Sequence, residues 1–150
     1  MITIRKAAAA DLELLMRIRL EMLRDVNDLG DGEGFAEELV GESREYFANG
    51  DQTTVLAFDG ECAIGCASMS YYRIMPTFAH PTGRRAHLMN VYVREAYRRQ
   101  GIARKMIESL IEDAKIMGAT EISLDATEEG RPLYESLGFA ASEECMVMNI

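Results

Sequence analysis

The stretch VYVREAYRRQGIARKM, residues 91–106, joins an apolar, β-branched run to the start of an amphipathic helix. From Arg94 to Lys105 it holds five basic residues and one acid, a local net charge of +4 in a chain whose formal net charge is −9. The start of a helix leaves N–H groups unpaired and carries partial positive charge, so a basic, glycine-containing turn at this point suits an anion. An anion site on an acidic protein is one interpretation, and an ordinary solvated helix start is the other.

Hydrophobic periodicity on both sides of this stretch predicts an α/β fold. Apolar residues at helical spacing predict helices after Asp11, over 35–47, from 102 to 118 and from 130 to 138. Strand-like runs are predicted at 2–7, on both sides of the Asp59-Gly60 turn, at 87–93, at 121–126 and, as one or two strands, at 139–150. The near-continuous apolar character of 87–93 favours a central strand.

Length and composition bound the classes of function. The 150 residues with 48% hydrophobic content suit a single domain, residues 1–150. The net charge argues against binding to nucleic acid or to an anionic membrane. We find no apolar run of membrane-spanning length and no signal-type start, which predicts a cytoplasmic protein. The cysteines, Cys62, Cys66 and Cys145, are expected to be buried free thiols.

The residues around the basic stretch resemble those of the GNAT acyltransferases. Arg98, Gly101 and Ala103 satisfy that family's acyl-CoA signature, [QR]-x-x-G-x-[GA], after the strand LMNVYV, and LYESLGF at 133–139 is similar to a second family segment. The resemblance implies a GNAT fold: a mixed central sheet of six to seven strands, splayed at the acyl-CoA site and flanked by about four helices.

The same resemblance implies acetyl-CoA as acyl donor, with no metal. The pantetheine arm would lie between the strands at 87–93 and 121–126, and N–H groups at about 99–104 would hold the pyrophosphate. The residues expected to contact the cofactor are Val91, Val93, Arg98, Arg99, Gln100, Gly101, Ile102, Ala103, Arg104 and Thr127. Thr127 either bonds the pantetheine arm or only caps the following helix.

The expected activity is transfer of an acetyl group to a primary amine, directly and through a tetrahedral intermediate. Tyr134 is the candidate acid for the leaving thiolate, and the Val91 N–H is the candidate oxyanion donor. The alternative is a non-catalytic acyl-CoA-binding or sensing module on the same fold. Cys66 is a poor candidate for an acyl-carrying nucleophile, because no histidine is placed by sequence to activate it.

The general base and the acceptor are less determined. Many relatives carry a glutamate on the central strand, where this chain has Asn90, which cannot take a proton; acids between Glu21 and Glu33 and a water chain are the alternatives. Acid near an acceptor cleft would attract a cation, so we expect a small cationic amine. The candidate acceptor residues are Asp28, Asp31, Glu33, Tyr71 and Asn90. An exposed C-terminal strand would also allow a homodimer.

Overall fold

The structure is a computed structural model that describes residues 1–30 and 34–150. Within these residues five strands form one sheet, in the order β1-β2-β3-β4-β5. The strands are β1 Ile2–Lys6, β2 Gln52–Asp59, β3 Cys62–Arg73, β4 Arg84–Val93 and β5 Glu121–Ser123. The α-helices of the described residues are α1 Leu12–Val26, α2 Glu37–Asn49, α3 Ile102–Ile116 and α4 Arg131–Ser136. The predicted α/β class and the four helices are confirmed.

The sheet is mixed. The first four strands pair antiparallel with their neighbours, and β2 and β3 form the hairpin predicted around Asp59-Gly60. Only the last pair, β4 with β5, is parallel. A parallel pair needs a crossover, and α3 supplies it by running from the end of β4 back to the start of β5. The basic stretch therefore lies at the carboxyl end of a strand that has neighbours on both sides.

Apolar side chains form a core on each face of the sheet. The core under α3 contains Ile102, Met106, Ile107, Leu110 and Ala114 of that helix, packed on Val55, Met69 and Leu88 of the strands. The core under α1 contains Leu15, Ile18 and Met22, packed on Leu56, Phe58, Cys66 and Tyr92. Both helices thus bury the stripe that their sequences predict, and β4 is held from both faces.

A buried polar cluster ties α3 to two strands. Asp113, 7% exposed, accepts hydrogen bonds from the Lys6 ammonium (2.5 Å) and the Tyr71 hydroxyl (2.5 Å). Burial alone would raise the pKa of Asp113, but these two donors outweigh it and hold that pKa below its ordinary value. The carboxylate is therefore ionised and paired at neutral pH, which fixes the position of α3 on the sheet.

Three details differ from the sequence predictions. The sheet has five strands in the described residues rather than six or seven, because 139–150 pairs with none of them. Alternation of apolar and polar residues indicates a segment that could pair in a sheet, but it does not show that a neighbouring strand exists. In this segment Met146, Val147 and Met148 are 94%, 81% and 84% exposed. The strand predicted at 121–126 ends at Ser123. The helix predicted over 35–47 spans 37–49 and has no buried residue, because its apolar side chains face a cavity.

Two further findings concern the cysteines and the helices. All three cysteines are free, but only Cys66 is buried, whereas Cys62 and Cys145 are exposed, which corrects the prediction of three buried thiols. Both exposed cysteines stand at the margin of the fold, Cys62 at the start of β3 and Cys145 in the C-terminal segment. None of the helices in the described ranges combines the length and the apolar character that crossing a bilayer requires.

Candidate active site

The last two strands of the sheet separate partway along their length. Parallel pairing of β4 with β5 runs from Arg85 opposite Glu121 to His87 opposite Ser123, where it ends. From there β4 continues alone on this side to Val93, and the chain after Ser123 leaves the sheet. We call this gap the fork. Within the described residues, the backbone groups of 88–93 that point into the fork have no strand partner, so a ligand that offers amides can pair with them.

A β-bulge shapes β4 beside the fork. The pairing with β3 shifts between Cys66 and Ser68, and Asn90 takes a left-handed conformation (φ 58°). The Asn90 carbonyl accepts a bond from the Cys66 thiol (3.3 Å), and its side-chain amide donates to the Ser68 hydroxyl (3.1 Å). The bulge thereby turns the Asn90 side chain toward the α1 face, and Val91 is the residue that follows it along the open edge of β4.

The basic turn after β4 forms a concave set of N–H groups. Arg99 (φ 63°) and Gly101 (φ 77°) are left-handed, and Gly101 is followed at once by the right-handed backbone of α3, a change of hand that turns successive N–H groups toward one point. The first bond of α3 runs from Lys105 N to Gly101 O (3.2 Å), and no described side chain caps the helix. We call residues 98–104 the nest. A Cβ on Gly101 would meet no atom within 4 Å, so the space ahead is open.

The basic side chains of the nest divide into two groups. Arg98 donates from Nε to the Val93 carbonyl (2.7 Å), and the Arg104 guanidinium contacts Ser136 and Glu108, so both hold the turn in place. Arg99 and Lys105 are exposed and form no ion pair with any residue the structure describes. These two side chains are the ones available to an anion in the nest.

Tyr134 lies on α4 beside the α3-side core. Its ring is half-buried and meets Phe139 edge to face, with centroids 6.1 Å apart at 75°. The hydroxyl makes no hydrogen bond within the described residues, and burial raises the pKa of this phenol, which keeps it protonated at neutral pH. The Thr127 hydroxyl accepts a bond from Gly130 N (3.1 Å) in the turn before α4, while the N-cap position of α4 is Gly130 itself, which has no side-chain cap.

The acidic residues suggested as base or acceptor contacts are mostly engaged. Glu21 forms a two-point ion pair with Arg94 (3.0 and 2.9 Å), and these bonds lower the pKa of Glu21. Asp25 accepts a bond from the Tyr92 hydroxyl (2.8 Å). Asp28 follows α1 and is exposed. Asp31 and Glu33 lie outside the described residues.

Tyr71, another acceptor candidate, belongs to the Asp113 cluster and packs in the α3-side core. It is therefore on the opposite face of the sheet from the α1 helix. The thiol of Cys66 is buried, which raises its pKa to about 12. A thiol with that pKa carries almost no thiolate at neutral pH, so Cys66 is unsuited to nucleophilic catalysis.

A cavity of about 230 Å³ opens between α1, α2 and the sheet, next to the bulge. We call it the acceptor-side cavity. Its walls include Arg19 of α1, Leu39, Tyr46 and Phe47 of α2, and Ser68, Ser70, Met89 and Asn90 of the strands. Of the predicted acceptor residues that the structure describes, Asn90 alone lines it. Sequence analysis missed Arg19, because a lone arginine in an amphipathic helix looks like any solvated residue.

His87 is the second residue that sequence analysis passed over. It stands where β4 and β5 part, with Nδ1 2.7 Å from the Ser123 hydroxyl and Nε2 3.6 Å from the Asp125 carboxylate. Its cross-strand partner on β3 is Ser70, and side chains that lie opposite each other on paired strands share one face of the sheet. Ser70 also lines the acceptor-side cavity. His87 therefore stands between the fork and the cavity. The described residues bring together no group of three or more side chains able to hold a metal.

Comparison with known proteins agrees with this geometry. The model of the acetyltransferase (GNAT) family matches residues 19–139. A glucosamine 6-phosphate N-acetyltransferase from Trypanosoma brucei brucei is 32% identical over 87 residues, which are 58% of this chain and 57% of the relative. The chain thus spans little more than half the length of that relative.

Two other proteins are similar over most of the chain. A thialysine N-epsilon-acetyltransferase from Sus scrofa is 30% identical over 147 aligned positions, covering 91% of this chain and 83% of its own. The crystal structure of a predicted acetyltransferase with acetyl-CoA from Clostridium acetobutylicum superposes with a TM-score of 0.86 at 30% identity, covering 99% and 96% of the two chains. The residue assignments for cofactor and acceptor remain predictions.

We predict that Gly101→Ala weakens acetyl-CoA binding by about tenfold or more. A left-handed backbone costs a non-glycine residue about 1–2 kcal/mol, and the new methyl group enters the space ahead of the nest. Gly60→Ala is the matched control, since Gly60 is also left-handed (φ 60°) with open space around it but lies in the β2–β3 turn. Calorimetry that finds both variants binding like the wild type would remove the nest from the binding site.

Proposed function

The chain belongs to the acetyltransferase (GNAT) family, and on that premise we propose that it transfers an acetyl group from acetyl-CoA to the primary amine of a small acceptor. The observation that carries the proposal is the continuity of two features: an unpaired edge of β4 leads directly into an open nest of N–H groups. A ligand with amides at one end and a pyrophosphate at the other fits that sequence of sites.

The residues fit acetyl-CoA in the order that the sequence predicted. Backbone groups of Val91 and Val93 would pair with the amides of the pantetheine arm, and the N–H groups of 99–104 would hold the pyrophosphate, with Arg99 and Lys105 available to further phosphates. When bound, acetyl-CoA supplies an acetyl group activated as a thioester. The Val93 carbonyl already accepts a bond from Arg98, so pairing at this residue relies on its second lone pair or on its N–H.

Two groups are proposed to act on charges that develop during transfer. The Val91 N–H, beside the bulge, donates to the oxygen on which negative charge grows. The Tyr134 hydroxyl donates a proton to the departing sulfur, a role supported by its unpaired hydroxyl and by the burial that keeps it protonated.

A general base must take a proton from the ammonium group of the acceptor so that the neutral amine can attack the thioester carbonyl, and we propose His87 for that role. It is supported by its position between the fork and the acceptor-side cavity and by the Ser123 hydroxyl 2.7 Å from Nδ1, which holds the ring in place. Glu21 is a weaker candidate because Arg94 occupies both of its oxygens. A water chain to solvent is the remaining alternative.

The acceptor is proposed to be a small amine bound in the acceptor-side cavity. The names of the relatives support an amine, since one is a glucosamine 6-phosphate N-acetyltransferase and another a thialysine N-epsilon-acetyltransferase. The expectation of a cationic acceptor depends on the acids between Glu21 and Glu33. Two of them, Glu21 and Asp25 of α1, are paired within the protein, and neither lines the cavity.

A homodimer is proposed from the C-terminal segment. Met146, Val147, Met148 and Ile150 are exposed in a single copy, and β5 leaves a free edge of the sheet. Burial of these side chains against a second copy would remove a large apolar surface from water.

Tyr134→Phe is predicted to lower turnover about 10²-fold while acetyl-CoA binding and the melting temperature stay unchanged, because the ring and its packing are retained. Turnover is measured in an acceptor screen as the amount of free thiol that is released. Turnover close to wild type would return Tyr134 to a packing role. Acetyl-CoA binding without turnover for any acceptor would favour the sensing module.

His87→Gln is predicted to lower kcat about 10²-fold with the KM for acetyl-CoA unchanged, the usual loss when a general base is removed. His80→Gln is the matched control, since His80 also faces a carboxylate, Glu121 at 3.4 Å, but lies outside the fork. A kcat for His87→Gln equal to that of His80→Gln would contradict the assignment of the base to His87.

Deletion of residues 145–150 is predicted to convert a dimer into a monomer with its secondary structure intact. Light scattering gives the mass, and circular dichroism checks the fold. If the full chain is a monomer at micromolar concentration, the C-terminal segment has another partner and the dimer is wrong.

A further inference from the structure

Arg19 is a half-buried cation in the wall of the acceptor-side cavity. Its Nη1 donates to the Asn90 side-chain oxygen (3.1 Å), and no carboxylate of the described residues lies within ion-pair distance of it. In the same layer Arg94 pairs with Glu21 and Arg44 with Glu13, whereas Arg17 and Arg24 of α1 form no ion pair within the described residues. The surroundings of Arg19 are apolar enough that burial lowers its pKa. Arg19 therefore has a charge that no carboxylate of the described residues neutralises.

A buried charge without a counter-ion destabilises the folded state, so such groups are common where a ligand supplies the opposite charge. The guanidinium has five N–H donors in a planar arrangement, of which Asn90 takes one. A carboxylate offers two oxygens in the same plane and matches that arrangement at two points. The free donors of Arg19 thus fit a carboxylate better than a single carbonyl.

The two strand serines in the cavity wall already have partners. The Ser68 hydroxyl is bonded to Thr54 (2.6 Å) and receives the Asn90 amide, and the Ser70 hydroxyl receives the Tyr46 hydroxyl (2.8 Å). Leu39, Phe47 and Met89 form the apolar part of the wall, and Ser43 and Gln52 add two further polar side chains. A second anionic charge would find no partner, since the other charged residue in the wall is Glu42. The cavity therefore suits an apolar body that carries one carboxylate.

We propose that the acceptor is a small amine bearing a carboxylate, an amino acid with an apolar side chain, whose carboxylate binds Arg19. This inference rests on the acetyl transfer proposed above. Arg19 contacts Asn90, whose backbone leads directly to Val91 at the fork, so a carboxylate on Arg19 leaves the amine of the same small molecule close to the acyl site. The acceptor is then a zwitterion in solution rather than a polyamine.

Paired acceptors test the proposal. Leucine and phenylalanine are compared with 3-methylbutylamine and 2-phenylethylamine, which keep the side chain and the amine but lack the carboxylate. With acetyl-CoA and detection of free thiol, kcat/KM is expected to be at least about tenfold higher for the amino acids, the worth of a bond to a charged group. Equal use of an amino acid and its decarboxylated partner would overturn the proposal while leaving acetyl transfer in place.

Two substitutions on α1 test whether Arg19 is the residue that binds the carboxylate. Arg19→Gln is expected to raise the KM for leucine about 10- to 100-fold, with the KM for acetyl-CoA and the rate with 3-methylbutylamine unchanged. Arg17→Gln is the matched control, an exposed arginine on the same helix outside the cavity. Unchanged leucine kinetics in Arg19→Gln would contradict the assignment.

Calorimetry with N-acetylleucine in the presence of coenzyme A separates the two claims. The wild type is expected to bind this probe at least about tenfold more tightly than Arg19→Gln, whether or not turnover occurs. Binding that depends on Arg19, with no turnover for any acceptor, would uphold the carboxylate site and remove the acetyl transfer. Absence of binding to the wild type, or equal binding to both proteins, would remove the carboxylate site.

Discussion

The site depends on the parting of β4 from β5 after His87 and Ser123. Backbone N–H and C=O groups need partners when they are removed from water, and a strand edge left open inside a sheet invites another extended chain. In this protein the open edge is internal and has rigid neighbours. It can therefore accept a ligand with amides, while the rest of the sheet remains paired.

The elements around the fork keep the open edge of β4 in a fixed position. The two cores clamp β4 from both faces through α1 and α3, and the Asp113 cluster fixes α3 to β1 and β3. A short turn connects the end of β4 to the start of α3, and Arg98 in that turn donates to the Val93 carbonyl, so the free N–H groups of α3 are held close to the end of the open edge. Electrostatic sites of this kind act best when the scaffold, rather than the ligand, supplies their order.

Local sequence patterns predicted much of this architecture, because many of its elements depend on residues that are close together in the sequence. The stripe of α3, the hairpin at Asp59-Gly60 and the signature from Arg98 to Ala103 each depend on short spacings in the sequence. The acceptor-side cavity does not, since Arg19 and Asn90 are 71 positions apart and meet only after α1 packs on the sheet. The proposed role of His87 depends on its position at the end of the β4–β5 pairing, and hydrophobic periodicity does not predict where that pairing ends. The final strands were predicted from alternation, which carries no information about whether a neighbour exists in the same chain.

The central claim is that acetyl-CoA binds along the open edge of β4 and into the nest. Hydrogen–deuterium exchange with and without acetyl-CoA tests it most directly, because amides that gain a bonding partner exchange more slowly. The account predicts slower exchange over residues 88–104 and no change in β1 and β2, on the far side of the sheet. Saturating acetyl-CoA that slows exchange elsewhere but leaves 88–104 unchanged would contradict it.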